Sequence, residues 1–105
     1  MVTTTIREED NLLIMTFEGK LDTSSSFQVE RDMKALFDAT DRNYLLDLTN
    51  LRYCASSGLR LFLRLLMHAR DNGRRVDVTG LTPFMQKVFD STGFTRLFEI
   101  HHSQV

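Results

Sequence analysis

Apolar and polar residues follow one of two periods along almost the whole chain, and each change of period marks a new element. Alternation, the period of a strand, is weak near the N-terminus, where Asp10-Asn11 reads as a turn between two strands. Gly19 is expected to end the second of these strands, and a short apolar run from Tyr44 is typical of a buried strand. The predicted strands cover residues 3–8, 12–18, 44–48, 76–79 and 97–101.

Three further segments carry apolar residues at helical spacing. In the first, apolar residues recur at i, i+4, i+7 and i+8 from Val29, and the helix is expected to end near Asp38. Ser25 and Gln28 stand three residues apart at its start, which is the spacing of a capping box. The sequence therefore predicts one amphipathic helix that begins at a serine-rich turn.

The other two helices have clear boundary signals. One runs from Leu59 to Arg70, and the last has Thr82 as its N-cap, Pro83 at its first position and Gly93 at its C-terminal cap. Strands that alternate with helices need crossover connections, so most of the sheet is expected to be parallel, after an opening hairpin. The prediction is a single α/β domain over residues 1–105, with helices packed on a mixed, mostly parallel sheet in the order β-β-α-β-α-β-α-β.

The second predicted helix has more apolar surface than an ordinary amphipathic helix. Its apolar side chains fill an arc of about 200°, with Arg60 and Arg64 on the opposite face and Met67 at the margin. One interpretation places this helix deep between the sheet and its neighbours. The other leaves a flank exposed for a partner, at Leu61 and Leu65 or at Met67, with the arginines as a charged rim. Helical spacing alone leaves both interpretations open.

Composition narrows the function classes. The 105 residues include 13 basic and 14 acidic side chains, a net charge of -1, which argues against binding to nucleic acid or anionic lipid by charge alone. The five arginines between Arg60 and Arg75 are split between a helix face and a turn, so no direct nucleic-acid partner is predicted. Apolar residues make up 42% of the chain, which excludes a disordered protein.

Targeting and redox signals point to the cytoplasm. The N-terminal ten residues carry acids where a signal peptide needs a basic region followed by an apolar one. The longest strongly apolar stretch, 59–69, is interrupted by charges and is far short of the roughly 20 residues of a membrane span. Cys54 has no second cysteine with which to form a disulfide. We expect a small cytoplasmic domain without membrane insertion.

Catalytic and metal-binding patterns are missing from the sequence. Ser56 lacks the Gly-x-Ser-x-Gly pattern of a nucleophile elbow, and neither a Walker loop nor Gly-x-Gly-x-x-Gly is present. His101 and His102 are adjacent, so on a strand they point to opposite faces, and His68 has no ligand partner at i+4. Cys54 is typical of a small buried apolar residue. The chain is predicted not to be an enzyme and to need no cofactor or metal; a small hydrolase using Ser56 is the formal alternative.

Ser56 and Ser57 stand immediately before the most apolar helix and allow two interpretations. Serine is a favoured N-cap, because its hydroxyl accepts a hydrogen bond from a free backbone N–H. A phosphate at the same place would lie against unpaired N–H groups and the positive end of the helix dipole. It would also add a charge of about -1.5 to -2, enough to expel a partner. The two roles are compatible, since a capping serine can also be modified.

Several separated segments together resemble one family. FEGKLDTSSS follows the second strand, and YLLDLTNLRYCASSGL, NGRRVDVTGLTP and VFDSTGFTRLFEI come after it in the same order as in STAS domains. The resemblance covers about residues 6–101 and is to the stand-alone bacterial anti-sigma-factor antagonists. It implies the STAS fold. It further implies a protein that binds an anti-sigma factor, itself a serine kinase, and thereby frees a sigma factor.

The resemblance also implies which residues act. Ser56, aligned on the Gly58-Leu59 that follows, takes the place of the serine that the kinase phosphorylates, with Ser57 beside it as the less favoured acceptor. A serine phosphatase resets the modified form. Asp22 matches the aspartate of a family Gly-x-Leu-Asp segment and is expected to position Ser56 or to contact the kinase. The implied partner-binding residues are Asp22, Ser56, Ser57, Gly58, Arg60, Leu61, Arg64 and Met67.

The chain departs from the family pattern at two points. Ala55 stands where the family has an aspartate before the serine, which removes a carboxylate that could order the loop or be read by the kinase. Little sequence follows the last strand, where many relatives carry another helix. The alternative within the fold is a STAS subunit of a transporter complex or a stress-signalling scaffold. In that case binding would be constitutive and Ser56 would act only as a cap.

Overall fold

The computed structural model describes residues 1–102 and contains one five-stranded sheet and four α-helices. The short strand β5 is preceded by a 3₁₀ turn at Phe94–Arg96. The short segment predicted to follow the last strand falls largely outside the described residues. The strands are β1 (Val2–Glu9), β2 (Leu12–Leu21), β3 (Asn43–Cys54), β4 (Val76–Thr79) and β5 (Glu99–His101), and the helices are α1 (Ser26–Asp32), α2 (Lys34–Asp38), α3 (Ser56–Asp71) and α4 (Pro83–Thr92).

The strands lie side by side in chain order, β1-β2-β3-β4-β5. The hairpin of β1 and β2 is antiparallel, and every later pair is parallel. A parallel pair needs a crossover, and the helices supply each one. The predicted mixed, mostly parallel sheet and its order of elements are confirmed, with the first predicted helix divided into α1 and α2.

The prediction that Gly19 ends the second strand is wrong. The strand β2 continues to Leu21, and its register on β3 shifts on either side of Gly19. Gly19 has a φ of 105°, and a Cβ there would collide with the backbone oxygen of Met1. Glycine therefore lets the strand bend past the N-terminus and continue, where a larger residue would be strained.

The first predicted helix is interrupted. Met33 lies in a turn between the end of α1 and the start of α2, and its side chain is fully buried. The capping-box prediction is also wrong: Ser25 makes no capping bond, because its hydroxyl is 2.8 Å from an Asp22 carboxylate oxygen. Gln28 instead reaches the backbone oxygen of Val2, at 3.4 Å. The serine-rich segment thus forms a hydrogen-bonded turn before α1.

The strand β3 continues to Cys54, past its predicted end at residue 48, and α3 begins at Ser56, before its predicted start at Leu59. The elements after α3 follow the sequence signals closely. Thr82 Oγ1 accepts from Met85 N at 3.2 Å, Pro83 opens α4, and Gly93 closes it with a φ of 85°. Val76–Thr79 is a strand with the predicted bounds. The last strand starts at Glu99, two residues later than predicted, because Leu97 still belongs to the end of the 3₁₀ turn.

The helices cover one face of the sheet. Met15, Leu46 and Val78 lie in one register row, and all three are buried in the core shared with the helices. Ile14 and Leu45, one residue along the same strands, point the other way and are outside that core cluster. The domain therefore has two layers, and both ends of the parallel strands are accessible at its rims.

Candidate functional site

Two neighbouring strands bring the predicted site residues to one rim. Leu21 and Cys54 are register partners at the carboxyl ends of β2 and β3, and Ala55 N donates to Leu21 O at 2.8 Å. The residues that follow, Asp22 on one chain segment and Ser56 on the other, consequently lie at the same edge of the sheet. The resemblance placed these segments together, and the parallel pairing supplies the physical reason.

Gly58 sets how closely α3 approaches this rim. It is buried, and a Cβ on it would stand 2.7 Å from Cys54 Sγ and 2.8 Å from a Leu21 methyl carbon. Only glycine lets the first turn of α3 rest on the ends of β2 and β3. Burial raises the pKa of the Cys54 thiol to about 12, so this cysteine is a neutral packing group beneath the site.

Ser56 is the first residue of α3 and not its N-cap, so the capping prediction is wrong. The cap position belongs to Ala55, which is extended and has no side-chain acceptor. Ser56 is exposed, and within residues 1–102 its hydroxyl has no hydrogen-bond partner. The first turn of α3 contains no acidic residue. The site therefore presents a free hydroxyl beside backbone N–H groups that no side chain caps.

Ser57 differs from its neighbour although the two are adjacent in sequence. Its hydroxyl lies 2.5 Å from that of Ser26 at the start of α1, and the residue is only partly exposed. The Ser26 hydroxyl is also 3.1 Å from Asp22 O. This chain of bonds ties α3 to α1 and to the turn before it. Ser57 is thus a packing contact between helices, whereas Ser56 faces solvent.

Asp22 orders the turn that flanks Ser56. Its Oδ1 accepts from Ser24 Oγ at 2.9 Å, Ser25 Oγ at 2.8 Å and Ser25 N at 2.9 Å. These hydrogen bonds, with those from Ser25 first, lower the pKa of Asp22 to about 2. No hydrogen bond joins Asp22 to Ser56 in the described part of the chain. Asp22 therefore shapes the turn at this rim and does not hold the Ser56 hydroxyl.

A groove between α1 and α3 opens beside Ser57. It encloses about 240 Å³ and is bordered by Phe27, Arg60 and Arg64, with Leu61 at its base. Phe27 is 71% exposed, which is unusual for so large an apolar side chain. Sequence reasoning missed Phe27, because a phenylalanine at the start of an amphipathic helix is more often part of the core. The break between α1 and α2 was not predicted either.

The two arginines at the groove differ in their pairing. Arg64 lies 3.1 Å from Glu30 Oε2 and its guanidinium stacks 5.2 Å from the centre of the Phe37 ring. Arg60 is exposed and forms no ion pair within residues 1–102. Arg64 is therefore held in place, and Arg60 is available to a partner.

The apolar flank of α3 is mostly covered. Leu61 is 5% exposed and Leu65 is fully buried, so the interpretation that either projects to a partner is wrong. Met67 is 56% exposed, but it lies eleven residues after Ser56, roughly 16 Å along the helix, and does not border the groove. The interpretation of a helix lodged between the sheet and its neighbours is confirmed for this flank.

His68 and His101 have contacts away from this rim. The His68 ring nitrogen lies 2.8 Å from Ala39 O, and His101 lies 3.0 Å from Asp77, so both rings are engaged elsewhere. Within residues 1–102, no group of three or more His, Cys, Asp or Glu side chains is placed to hold a metal ion. Nor does any helix in this range have the length and apolar character to cross a membrane.

Comparison with known proteins identifies the family. A family described as "Mlab, STAS domain" has a sequence model that matches residues 4–99. The chain belongs to the STAS domain family. A STAS-domain containing protein of Pseudomonas aeruginosa strain UCBPP-PA14 is 30% identical over 88 residues, which are 84% of this chain and 86% of the relative. The resemblance noted in the sequence is confirmed.

Other relatives carry a more specific name. A protein of Bordetella bronchiseptica, named "Putative anti-sigma factor antagonist BtrV", is 29% identical over 100 residues, 95% of this chain and 86% of the relative. The fold matches that of the anti-sigma factor antagonist SpoIIAA in its unphosphorylated form, with a TM-score of 0.82 at 17% identity over 97% of this chain and 89% of that one. Phosphorylated SpoIIAA of Bacillus gives 0.76 at 16% identity, over 97% and 92%. This STAS domain therefore has the fold of anti-sigma factor antagonists.

Proposed function

We propose that this STAS domain is an anti-sigma-factor antagonist that binds an anti-sigma factor with serine kinase activity, and that phosphorylation of Ser56 ends the binding. The observation that carries the proposal is the contrast between the two serines. Ser56 offers an exposed hydroxyl without a hydrogen-bond partner in the described chain, while Ser57 is bonded to Ser26. A kinase must reach its acceptor hydroxyl, so Ser56 is the favoured acceptor and Ser57 the lesser one.

A phosphate on Ser56 would be stabilised where it forms. The first turn of α3 has free N–H groups, carries no acid and has no capping side chain at Ala55. Backbone N–H groups and the positive end of the helix dipole favour a dianion. Because Ala55 stands at the cap in place of an aspartate, there is no carboxylate immediately before Ser56 to repel the phosphate. The modified domain would keep its fold, and the change would be read by the partner.

The docking surface we propose runs from the Asp22 turn across Ser56 and Ser57 to the groove with Arg60 and Arg64. Buried Gly58 and Leu61 shape this surface from below, and Met67 lies at its far margin. Phosphorylation would add a charge of about -1.5 to -2 in the middle of it, against a net charge of -1 for the whole chain. A partner whose acidic surface complements Arg60 and Arg64 would then be repelled. A serine phosphatase would restore the binding form.

Incubation with ATP and the candidate anti-sigma kinase of its own organism tests the switch. We expect intact-mass analysis to show a gain of one phosphate and peptide mapping to place it on Ser56. Ser56→Ala should abolish the gain and keep binding. Ser56→Asp should weaken binding by at least about tenfold, because a charge placed at the interface costs more than 1.4 kcal/mol. Ser57→Ala is the matched control and should still be phosphorylated.

Three results would overturn the proposal. Phosphate found on Ser57 alone would mean that α1 moves aside to free that hydroxyl. Equal affinity of the kinase for Ser56→Ala and Ser56→Asp would exclude a charge-driven switch. Binding retained with no phosphate on either serine would instead favour the alternative function, a constitutive STAS subunit of another assembly.

A further inference from the structure

Four arginines converge at the end of the domain opposite Ser56. Arg70 comes from the last turns of α3, Arg74 and Arg75 from the loop before β4, and Arg96 from the 3₁₀ turn. They border one cavity of about 370 Å³, whose lining contains a single acid, Glu99. In the sequence the first three are divided between a helix and a turn, and Arg96 is more than 20 residues away. The folded chain therefore concentrates positive charge that its net charge of -1 conceals.

Among the described residues, two of these guanidinium groups have hydrogen-bond or ion-pair partners and two do not. Arg75 Nε lies 3.2 Å from Asp77 Oδ1, and Arg70 donates to Leu97 O at 3.3 Å. Arg74 and Arg96 form no ion pair or side-chain hydrogen bond with any other described residue. Arg74 Nε is buried and has no acceptor. A buried donor without an acceptor is costly, and such a group in a native protein calls for a ligand, an ion or water.

The helix dipole explains only part of the cluster. A cation in the last turn of a helix is stabilised by the carbonyl groups there, and Arg70 occupies that place in α3. Arg96 belongs to another element, and Arg74 lies beyond the end of α3 with its Nε turned into the interior. Stabilisation of α3 does not require these two residues. Their convergence on one cavity needs a different reason.

We infer that this cavity, bordered by Arg70, Arg74, Arg75 and Arg96, binds a small phosphate-bearing anion. Guanidinium groups recognise phosphate oxygens in pairs of parallel hydrogen bonds, and arginine is the residue that sites of this kind use most. The cavity volume is within the range of small-ligand sites. A nucleic acid would need a longer basic stripe with exposed aromatic side chains, and Phe98 in this lining is buried.

The site is distinct from the proposed switch. Val76 begins β4 and Glu99 begins β5, so the arginine cavity lies at the amino ends of these two parallel strands. Ala55 and Ser56 follow the carboxyl end of β3, which is parallel to β4, and so lie at the opposite edge of the sheet. Anion binding at the arginine cavity does not require the Ser56 rim at the opposite end. The anion site can therefore be tested in the full chain without any partner protein.

Isothermal titration of the full chain with sodium pyrophosphate, at ionic strength held constant with sodium chloride, tests the inference. We expect saturable binding of one pyrophosphate per chain. Arg96→Gln should weaken it by about tenfold or more, the loss of one charge-assisted hydrogen bond. Arg96 is exposed, so this substitution leaves the fold intact. Arg74→Met should have the same effect. In NMR spectra of the wild type, pyrophosphate should shift one arginine side-chain N–H signal, and that signal should be missing from the spectrum of Arg74→Met.

Matched controls distinguish pyrophosphate binding in the arginine cavity from non-specific attraction to surface positive charge. Arg31→Gln removes an exposed arginine on α1 and should leave the affinity within about twofold, since it lies outside the cavity. Ser56→Ala should bind pyrophosphate like the wild type, whatever the outcome of the kinase experiment. Equal losses in Arg31→Gln and Arg96→Gln, or no saturable binding, would overturn the inference. So would arginine-dependent binding of a deca-glutamate peptide or a single-stranded RNA in the absence of pyrophosphate binding.

Discussion

The two ends of α3 differ in the groups that can attract a negative charge. At its N-terminus the positive potential comes from backbone N–H groups, and Ala55, Ser56 and Ser57 bring no charged side chain. At its C-terminus the backbone presents carbonyl oxygens, so any attraction for an anion must come from side chains. There Arg70 supplies it from the helix, together with Arg74 and Arg96 from outside the helix.

The difference explains why the two ends suit different events. Under the proposed function, the start of α3 binds its partner while Ser56 is uncharged and releases it once a covalent phosphate has made this surface negative. A permanently charged arginine cluster cannot be switched in this way, since guanidinium groups stay protonated. It is suited to a ligand that comes and goes. One helix therefore connects the proposed modification site to the proposed anion site.

The largest effect should come from breaking the close approach at the N-terminal end. In Gly58→Val the new side chain would collide with Cys54 Sγ and Leu21, since even a Cβ lies 2.7 and 2.8 Å from them. We expect the free energy of unfolding to fall by about 3 kcal/mol, as for an overpacked core. Chemical denaturation measures this loss, and adding Cys54→Ala should recover part of it.

This variant also sharpens the comparison between the two ends. At a temperature where Gly58→Val remains folded, it should bind the anti-sigma kinase poorly and bind pyrophosphate normally. Stability within about 0.5 kcal/mol of the wild type would show that α3 moves outward without cost, contrary to the close packing at Gly58. Loss of pyrophosphate binding in the folded variant would show that the two ends are coupled.

A smaller effect of opposite sign is expected at the other end. Arg74→Met keeps the aliphatic stem and removes the buried Nε that has no acceptor. In phosphate-free buffer this should raise the free energy of unfolding by about 1 kcal/mol, while pyrophosphate should no longer stabilise the protein. Thermal unfolding with and without pyrophosphate measures both. A fall in stability in phosphate-free buffer would mean that the guanidinium is already satisfied in the folded domain.

The smallest effect concerns the Asp22 turn. Hydrogen bonds from Ser25 and Ser24 lower the pKa of the Asp22 carboxyl to about 2, from an ordinary value of 3.8. The hydrogen bonds to the ionised Asp22 carboxylate therefore contribute fully to folding stability above pH 4, and this contribution is lost as the pH falls through about 2. An NMR titration of the Asp22 carboxyl carbon should show this value, and Ser25→Ala should raise it towards 3.8.

A control on the neighbouring segment completes that titration. Ser56→Ala should leave the pKa of Asp22 unchanged, because no hydrogen bond joins the two residues within the described chain. A change in the Asp22 titration on removing the Ser56 hydroxyl would restore the earlier expectation that Asp22 positions Ser56 directly.

Local pattern was sufficient wherever neighbours along the chain determine the structure. Thr82, Pro83 and Gly93 define α4 by bonds and dihedral angles within their own segment, and the structure agrees with the prediction. The order of strands and helices followed from the two periods of hydrophobicity, and the crossover rule made the sheet mostly parallel. The error at Gly19 arose because Met1, distant along the chain, provides the deciding contact. At Ser25 the deciding contact is local, from Asp22 three residues earlier, and the capping-box pattern does not take it into account.

The sequence by itself determined the order of elements, the family and the pair of serines at the start of α3. Only the tertiary structure separated those serines, because Ser57 is bonded to Ser26, 31 residues away, and Ser56 is not. Likewise, only folding brought Arg96 to Arg74 and covered Leu61 while leaving Phe27 exposed. Hydrophobic period reports which face of an element is apolar. What lies against that face, and which polar atoms it leaves without a partner, depends on contacts between distant segments.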